Sequence, residues 1–362
     1  LGVFHIASNL MKHFIRKNAT MPITLEGCKA FLAAALLHDL GHFPFTHSLK
    51  ELPLKQHEEL TAEIILFSPI KDILRNDLLI DPDFCCAIID ENIDCNDEQV
   101  IFFRKLLSSA IDPDKLDYLN RDAWFCGIPY GSQDVDYILS VLEPNAIHGY
   151  VIDRNSIAAI EGLLFSKYLM YRAVYWHQTI RTATGMIKKS LHIALENNTI
   201  QADDLYGLDD ESFYLNFARR DDPAFSLINA VYNRELFSVV RTIDFQPENP
   251  VHRSLENLDN RQQIEIALIQ RFTDFLDVDI SNTDILIDIP EHISFDIDIM
   301  LRDNNDLETY DSSPSVFTKN VIEQFVRSLR KIRISVSAGV AEKIHALSSI
   351  QRKQFFELSG DI

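Results

Sequence analysis

Residues 34–47 read Ala-Ala-Leu-Leu-His-Asp-Leu-Gly-His-Phe-Pro-Phe-Thr-His. An apolar helical run ends there against three histidines and an aspartate. Placing so many polar groups beside an apolar run is costly unless something binds them. A metal ion is the simplest such partner, because neutral imidazole and carboxylate together suit Zn, Mn, Fe, Co or Ni. His38 and Asp39 stand at the end of the run and His42 follows His38 by four residues, so on a continuing helix both imidazoles share one face. The plain alternative is a helix end at which His and Asp satisfy orphan backbone groups. Gly41, Pro44 and His47, following in fixed order, weigh against it.

A second constellation spans 108–122, Ser-Ser-Ala-Ile-Asp-Pro-Asp-Lys-Leu-Asp-Tyr-Leu-Asn-Arg-Asp. Asp114, Tyr118 and Asp122 recur at every fourth position, so one helical face carries a carboxylate, a phenol and a second carboxylate, with Lys115 and Arg121 beside it. Asp112 can cap a helix begun by Pro113, which would be a purely structural role. An amphipathic helix normally buries apolar residues, however, and this polar stripe points to a site. Residues 156–195 read as one long helical pattern in which Lys167, Tyr171 and Tyr175 form a cationic and aromatic stripe. Such stripes are more often core than binding site.

His38-Asp39-Leu40-Gly41-His42-Phe43-Pro44-Phe45-Thr46-His47 resembles the signature of HD-domain phosphohydrolases, specifically their deoxynucleoside triphosphate (dNTP) triphosphohydrolase branch. The match continues at His57-Glu58, at 112–122 and at 165–177, and so covers most of residues 1–190. The resemblance implies a mainly α fold, an HD-domain helical core followed by a smaller C-terminal α+β region. It implies that His38, Asp39 and Asp114 hold a divalent metal (Mn, Fe, Ni, Co, Zn or Mg) and that His42, His47 and His57 are catalytic. Lys115 would contact phosphate, Tyr118 and Asp122 the sugar, Lys167 the triphosphate and Tyr175 the deoxyribose. Attack at the α-phosphate would give a deoxynucleoside and inorganic triphosphate, with His57 or His47 protonating the leaving oxygen.

Leu1-Gly2-Val3 resembles the tail of the family's Arg-x-x-His-Ser-Leu-Gly-Val segment, which would put the first metal histidine just upstream of Leu1. His5 falls on another helix face, and His5 and His13 read as ordinary helix residues. Lys50 stands where the family commonly has an acidic residue, and Glu51 or Glu58 could replace it as the carboxylate that orients a catalytic histidine. Two readings compete with the dNTP triphosphohydrolase. One is an HD phosphodiesterase or nucleotidase on another phosphate ester; the other is a nucleotide-binding scaffold with a decayed metal site. A homo-oligomer is the family's usual assembly.

The 362 residues, 46% hydrophobic and 24% charged, suit a large globular domain with a smaller one. The expected division is a helical catalytic core at 1–197 and an α+β region at 198–362. A net charge of −20 argues against nucleic acid or an anionic membrane as partner, since both need a basic footprint. It leaves room for a small basic pocket and a nucleotide. Five cysteines without a CxxC pair read as reduced thiols of a cytoplasmic protein, and no run is long enough to be a signal peptide or to span a bilayer.

Helices are expected at 4–19, at 26–40 with Thr24 as cap, at 60–67 and at 317–330. Residues 90–98 read as a solvated acidic loop and 203–245 as mixed helix and loop. Alternating Ile/Leu/Phe with polar residues predicts strands at 284–289, 293–299 and 331–336.

Overall fold

Val3, Ile6, Ala7, Leu10, Met11 and Phe14 recur at helical spacing, and Gly2–Arg16 is a helix that buries all six. Leu25–Leu37 follows, capped by Thr24, whose hydroxyl accepts from the Gly27 amide at 3.0 Å, as its position predicts. The computed structural model describes residues 1–17, 21, 23–291, 298–304, 306–313 and 315–357. The expected strand at 293–299 lies mostly outside them. Its last residue, Ile299, precedes an observed strand.

The chain divides into two compact units. The first comprises Leu1–His42, Lys55–Met170 and Ser294–Ile322. Its helices include Gly2–Arg16, Leu25–Leu37, His57–Phe67, Pro82–Ile89, Glu98–Leu107, Pro113–Cys126 and Ile157–Met170. Phe31 and Phe103 stack at 5.0 Å in its core, and both are fully buried. A four-stranded sheet completes it: β1 (Leu142–Asn145), β2 (Gly149–Asp153), β5 (Met300–Asp303) and β6 (Asp306–Thr309), adjacent in that order. β2 and β5 run parallel while the outer pairs are antiparallel hairpins. His13 fastens this sheet to the first helix, its Nε2 lying 2.9 Å from the Leu142 carbonyl, and His5 pairs with Asn9 on its own helix. Both histidines are the structural residues the sequence suggests.

The second unit comprises Phe43–Leu54, Tyr171–Ile293 and Glu323–Ile362. Its sheet has the order β3 (Ser238–Asp244), β7 (Lys331–Val336), β4 (Ile285–Asp288), all antiparallel. β7 is central and buries every residue after Lys331, while β3 corrects the expectation of helix and loop through 245. β4 is an edge strand, and edge strands leave backbone groups unpaired. Here two helices cover them: Glu265 Oε1 accepts from the Ile287 amide at 2.6 Å, and Lys189 Nζ donates to the Ile285 carbonyl at 2.8 Å. Lys189 and Glu265 also pair with each other at 2.6 Å, so neither buried charge is uncompensated.

The mainly α architecture with smaller sheets is as expected. The units interleave in sequence, which differs from a single division at residue 197. Two local expectations also change. The helix read as 26–40 ends at Leu37, and the long pattern at 156–195 is two helices, Ile157–Met170 and Gln178–Glu196. Tyr171–Tyr175 between them is a π-helical turn, so Lys167, Tyr171 and Tyr175 do not form a regular four-residue stripe.

Candidate metal centre

The turn after Leu37 is built by side chains of the helix His57–Phe67. Thr61 Oγ1 donates to the His38 carbonyl at 2.9 Å and accepts from the Gly41 amide at 2.8 Å. The backbone then turns tightly, His42 N donating to Asp39 O at 3.1 Å. His38 and His42 are therefore brought together by a clamped turn and not by a continuing helix. Gly41 is required by this approach: a Cβ there would overlap the His57 carbonyl and lie 2.6 Å from the Thr61 amide nitrogen. Both are backbone atoms that no rotamer change can move. Gly41→Ala is expected to cost about 1–3 kcal/mol in a urea melt and to lower activity by displacing His42 from His57. Wild-type stability in that variant would contradict the packing described.

His38 Nδ1 donates to the Ala35 carbonyl at 3.2 Å, which assigns the proton of the neutral ring to Nδ1. The Nε2 lone pair then faces two carboxylates, Asp39 Oδ1 at 3.2 Å and Asp114 Oδ1 at 3.6 Å. Nε2 is buried and makes no hydrogen bond of good geometry among the described residues. A lone pair directed at two anionic oxygens is repulsive unless a cation or a proton lies among them. The electrostatics agree. Burial opposes a charged His38, yet the nearby carboxylates of Asp114 and Asp39 outweigh it and raise the imidazole above its ordinary value. Burial would likewise raise Asp39, but His42, His38 and His57 pull its carboxyl down to about 2. Imidazole and two carboxylates held by a backbone carbonyl are a donor set for a divalent transition ion.

The neighbouring groups complete the site. His42 Nε2 lies 3.4 Å from Asp39 Oδ1, and the His42 and His57 rings are 4.2 Å apart. Glu58 Oε2 lies 3.1 Å from His57 Nδ1, a carboxylate beside this ring though not in hydrogen-bond geometry with it. Of the two carboxylates that the sequence offers for that role, Glu58 is the one beside a histidine of this site. Glu51 does not, because both its oxygens are held by Lys188 and Arg261. Thr61 and the Ala35 carbonyl were missed by sequence reasoning. Thr61 follows His57 by four residues on one helix, which was the available signal.

Asp114 comes from the helix Pro113–Cys126, which Asp112 caps by accepting from the Lys115 amide at 2.7 Å. The helix is unbroken, so Asp114, Tyr118 and Asp122 share a face, all half-buried. Lys115 Nζ is held by the buried Asp112 carboxylate and, at 3.0 Å, by the Ser109 carbonyl. Lys167, from Ile157–Met170, is half-buried. Burial and the nearby charge of Lys115 pull its ammonium down to about 8. Two expected residues fall in the other unit: His47, exposed on the 3₁₀ turn Thr46–Leu49, and Tyr175 on the π turn. Phe45 before that turn has φ +65°, a strained conformation for an aromatic residue, packed against Phe213 at 5.4 Å. None of the five cysteines is disulfide-bonded, and burial pushes the Cys86 thiol up to about 12, which leaves it inert.

Comparison with known families now decides what the chain is. The HD domain model matches residues 12–94 and the HD associated region model matches residues 142–330, more than half of the chain. The chain belongs to the HD-associated-region family. Its HD domain carries His38, Asp39, His42 and His57, and the associated region carries Lys167 and Tyr175. YwfO, an uncharacterized protein of Bacillus subtilis, is 39% identical over 164 residues, 45% of this chain and 36% of its own length. An uncharacterized protein of Methanocaldococcus jannaschii is 28% identical over 270 residues, 74% of this chain and 53% of its own length. The chain therefore spans about a third to a half of these relatives.

Two solved structures share the fold. A phosphohydrolase of Bacteroides thetaiotaomicron superposes with a TM-score of 0.65 at 20% identity, over 93% of this chain and 86% of that one. A hypothetical protein of Aquifex aeolicus gives 0.67 at 21% identity, over 98% and 84%. No helix among the described residues is long and apolar enough to cross a membrane.

Proposed function

We propose that this HD-domain chain is a metal-dependent phosphohydrolase and that its substrates are dNTPs, cleaved to deoxynucleoside and inorganic triphosphate. The observation that carries the reading is the bare His38 Nε2 facing Asp39 and Asp114. A decayed scaffold would have no reason to keep this costly arrangement. A divalent ion held by His38, Asp39 and Asp114 would supply a Lewis acid and an activated water.

The chain's own residues would do the rest. His57, with the Glu58 carboxylate 3.1 Å from its Nδ1, would supply a proton from Nε2 to the leaving sugar oxygen. It is preferred to His47 as general acid on that ground. Tyr118 and Asp122 present a phenol and a carboxylate for a sugar on the Asp114 face. Lys115 and Lys167 repel each other, and a polyphosphate between them would relieve that repulsion. Lys167 loses its proton as pH rises past about 8, so kcat/KM for an anionic substrate should fall above that pH. Lys167→Arg should abolish that descending limb, because arginine stays charged. An unchanged pH profile in Lys167→Arg would remove Lys167 from the substrate site.

One observation favours the second reading, a phosphodiesterase or nucleotidase. Lys115 is already held by Asp112 and Ser109, which leaves less positive charge for a triphosphate. The test incubates the chain and Mn²⁺ with each dNTP, alone and mixed, and in parallel with nucleoside monophosphates and cyclic nucleotides. Chromatography identifies the products. Deoxynucleoside and triphosphate establish the first reading; turnover of only the other esters establishes the second. A homo-oligomer and a cytoplasmic location belong to the same proposal.

A further inference from the structure

The second unit holds a group of ligand-type side chains that the HD centre does not use. His192 and Glu196 lie one turn apart near the end of the helix Gln178–Glu196, and Asp259 lies in the first turn of Leu258–Leu276. One donor atom from each lies within 4.8 Å of the other two. The His192 side chain is 12% exposed, and its Nε2 is 3.7 Å from Glu196 Oε2, too far for a hydrogen bond. That nitrogen is buried and has no hydrogen-bond partner among the described residues.

Two of the three residues have ordinary explanations. Asp259 suits a helix N-terminus, and Glu196 Oε2 accepts from Gln262 Nε2 at 3.2 Å. Neither fact accounts for His192 Nε2. A buried polar atom left unpaired is costly, and a simple i,i+4 ion pair would have closed to contact. The three groups border a cavity of about 550 Å³ that Glu51 and Glu256 also line. Those two carboxylates are committed elsewhere, Glu51 to Lys188 and Arg261 and Glu256 to Arg330 at 2.6 Å. His192, Glu196 and Asp259 are thus donors that no cation of the described residues holds, with space beside them for coordinating waters.

We infer that His192, Glu196 and Asp259 bind a divalent transition-metal ion. One imidazole with two carboxylates and waters suits Mn, Fe, Co, Ni or Zn better than Ca or Mg. The ion would join the ends of two helices of the associated region. It shares no residue with the HD centre, and the inference does not depend on what that centre hydrolyses.

The test uses the chain with a non-histidine affinity tag, in the His38→Ala/Asp39→Asn background, which takes a donor from both His/Asp groups of the HD centre so that it does not contribute. Equilibrium dialysis against micromolar Zn²⁺, with metal counted by mass spectrometry, should give one ion per chain. Adding Glu196→Gln/Asp259→Asn should remove it, together with the rise in Tm that Zn²⁺ produces. Both changes are on exposed carboxylates and should leave the far-UV circular dichroism unchanged. Glu196→Gln alone, a single surface change, gives the same comparison should the double variant unfold, and should weaken Zn²⁺ binding at least tenfold. Equal Zn²⁺ content with and without these substitutions would overturn the inference, as would no bound Zn²⁺ in the parent.

Discussion

Asp114→Ala should abolish metal binding at the HD centre and lower phosphohydrolase activity by at least about 100-fold, since even residues behind a metal ligand cost 10–100-fold when lost. The fold should survive. Asp112, not Asp114, caps the helix Pro113–Cys126, and alanine is a good helix former. The variant removes one of the two carboxylates that face His38 Nε2 and leaves the other, Asp39, at 3.2 Å. His38 should then titrate lower, because the nearby Asp114 carboxylate helps to raise it. Metal content, rate and the His38 titration followed by NMR check the three parts. A variant with full metal content and activity would take Asp114 out of the site.

Glu51→Ala should destabilise the second unit by about 3–5 kcal/mol, the usual cost of removing one partner from a buried ion pair. Glu51 is 16% exposed and accepts from Arg261 Nη2 at 2.6 Å and from Lys188, both cations being about 5% exposed. Without it two buried cations have no counter-charge. Burial alone would raise the Glu51 carboxyl, but Lys188 and Arg261 pull it down from its ordinary 4.5 to about 2. A carboxyl lowered in this way stabilises the fold fully above the unfolded value, and the contribution is lost as pH falls from about 4.5 to about 2. That shift corresponds to about 3 kcal/mol, in line with the mutational figure. Urea melts of wild type should therefore weaken steeply over this window, and those of Glu51→Ala less so. Parallel pH curves would show that Glu51 is not the group responsible.

The contrast between these two residues shows what the sequence could convey. Asp114 was legible as a candidate because the residues that place it are its neighbours in sequence: the cap at Asp112 and the helical stripe through Tyr118 and Asp122. Thr24 and Asp112 were likewise legible as caps, since a cap bonds an amide two or three residues away. Glu51 was not legible in its true role. Its partners lie 137 and 210 residues downstream, and only the folded chain selects them. The same holds for β1 and β2, short strands whose sheet is completed by β5 and β6, about 150 residues further on. The helix end at Leu37 was misread by three residues because the hydrophobic pattern continues through Leu40. The turn is imposed by Thr61, a side chain of another helix.

The central claim is that His38, Asp39 and Asp114 assemble a metal centre that directs water at a phosphorus atom. Hydrolysis of a dNTP in ¹⁸O-labelled water with Mn²⁺, stopped and analysed by mass spectrometry, tests it most directly. The account predicts one ¹⁸O in the released inorganic triphosphate, none in the deoxynucleoside, and no reaction after chelation. Label in the deoxynucleoside, or turnover that persists without metal, would contradict it.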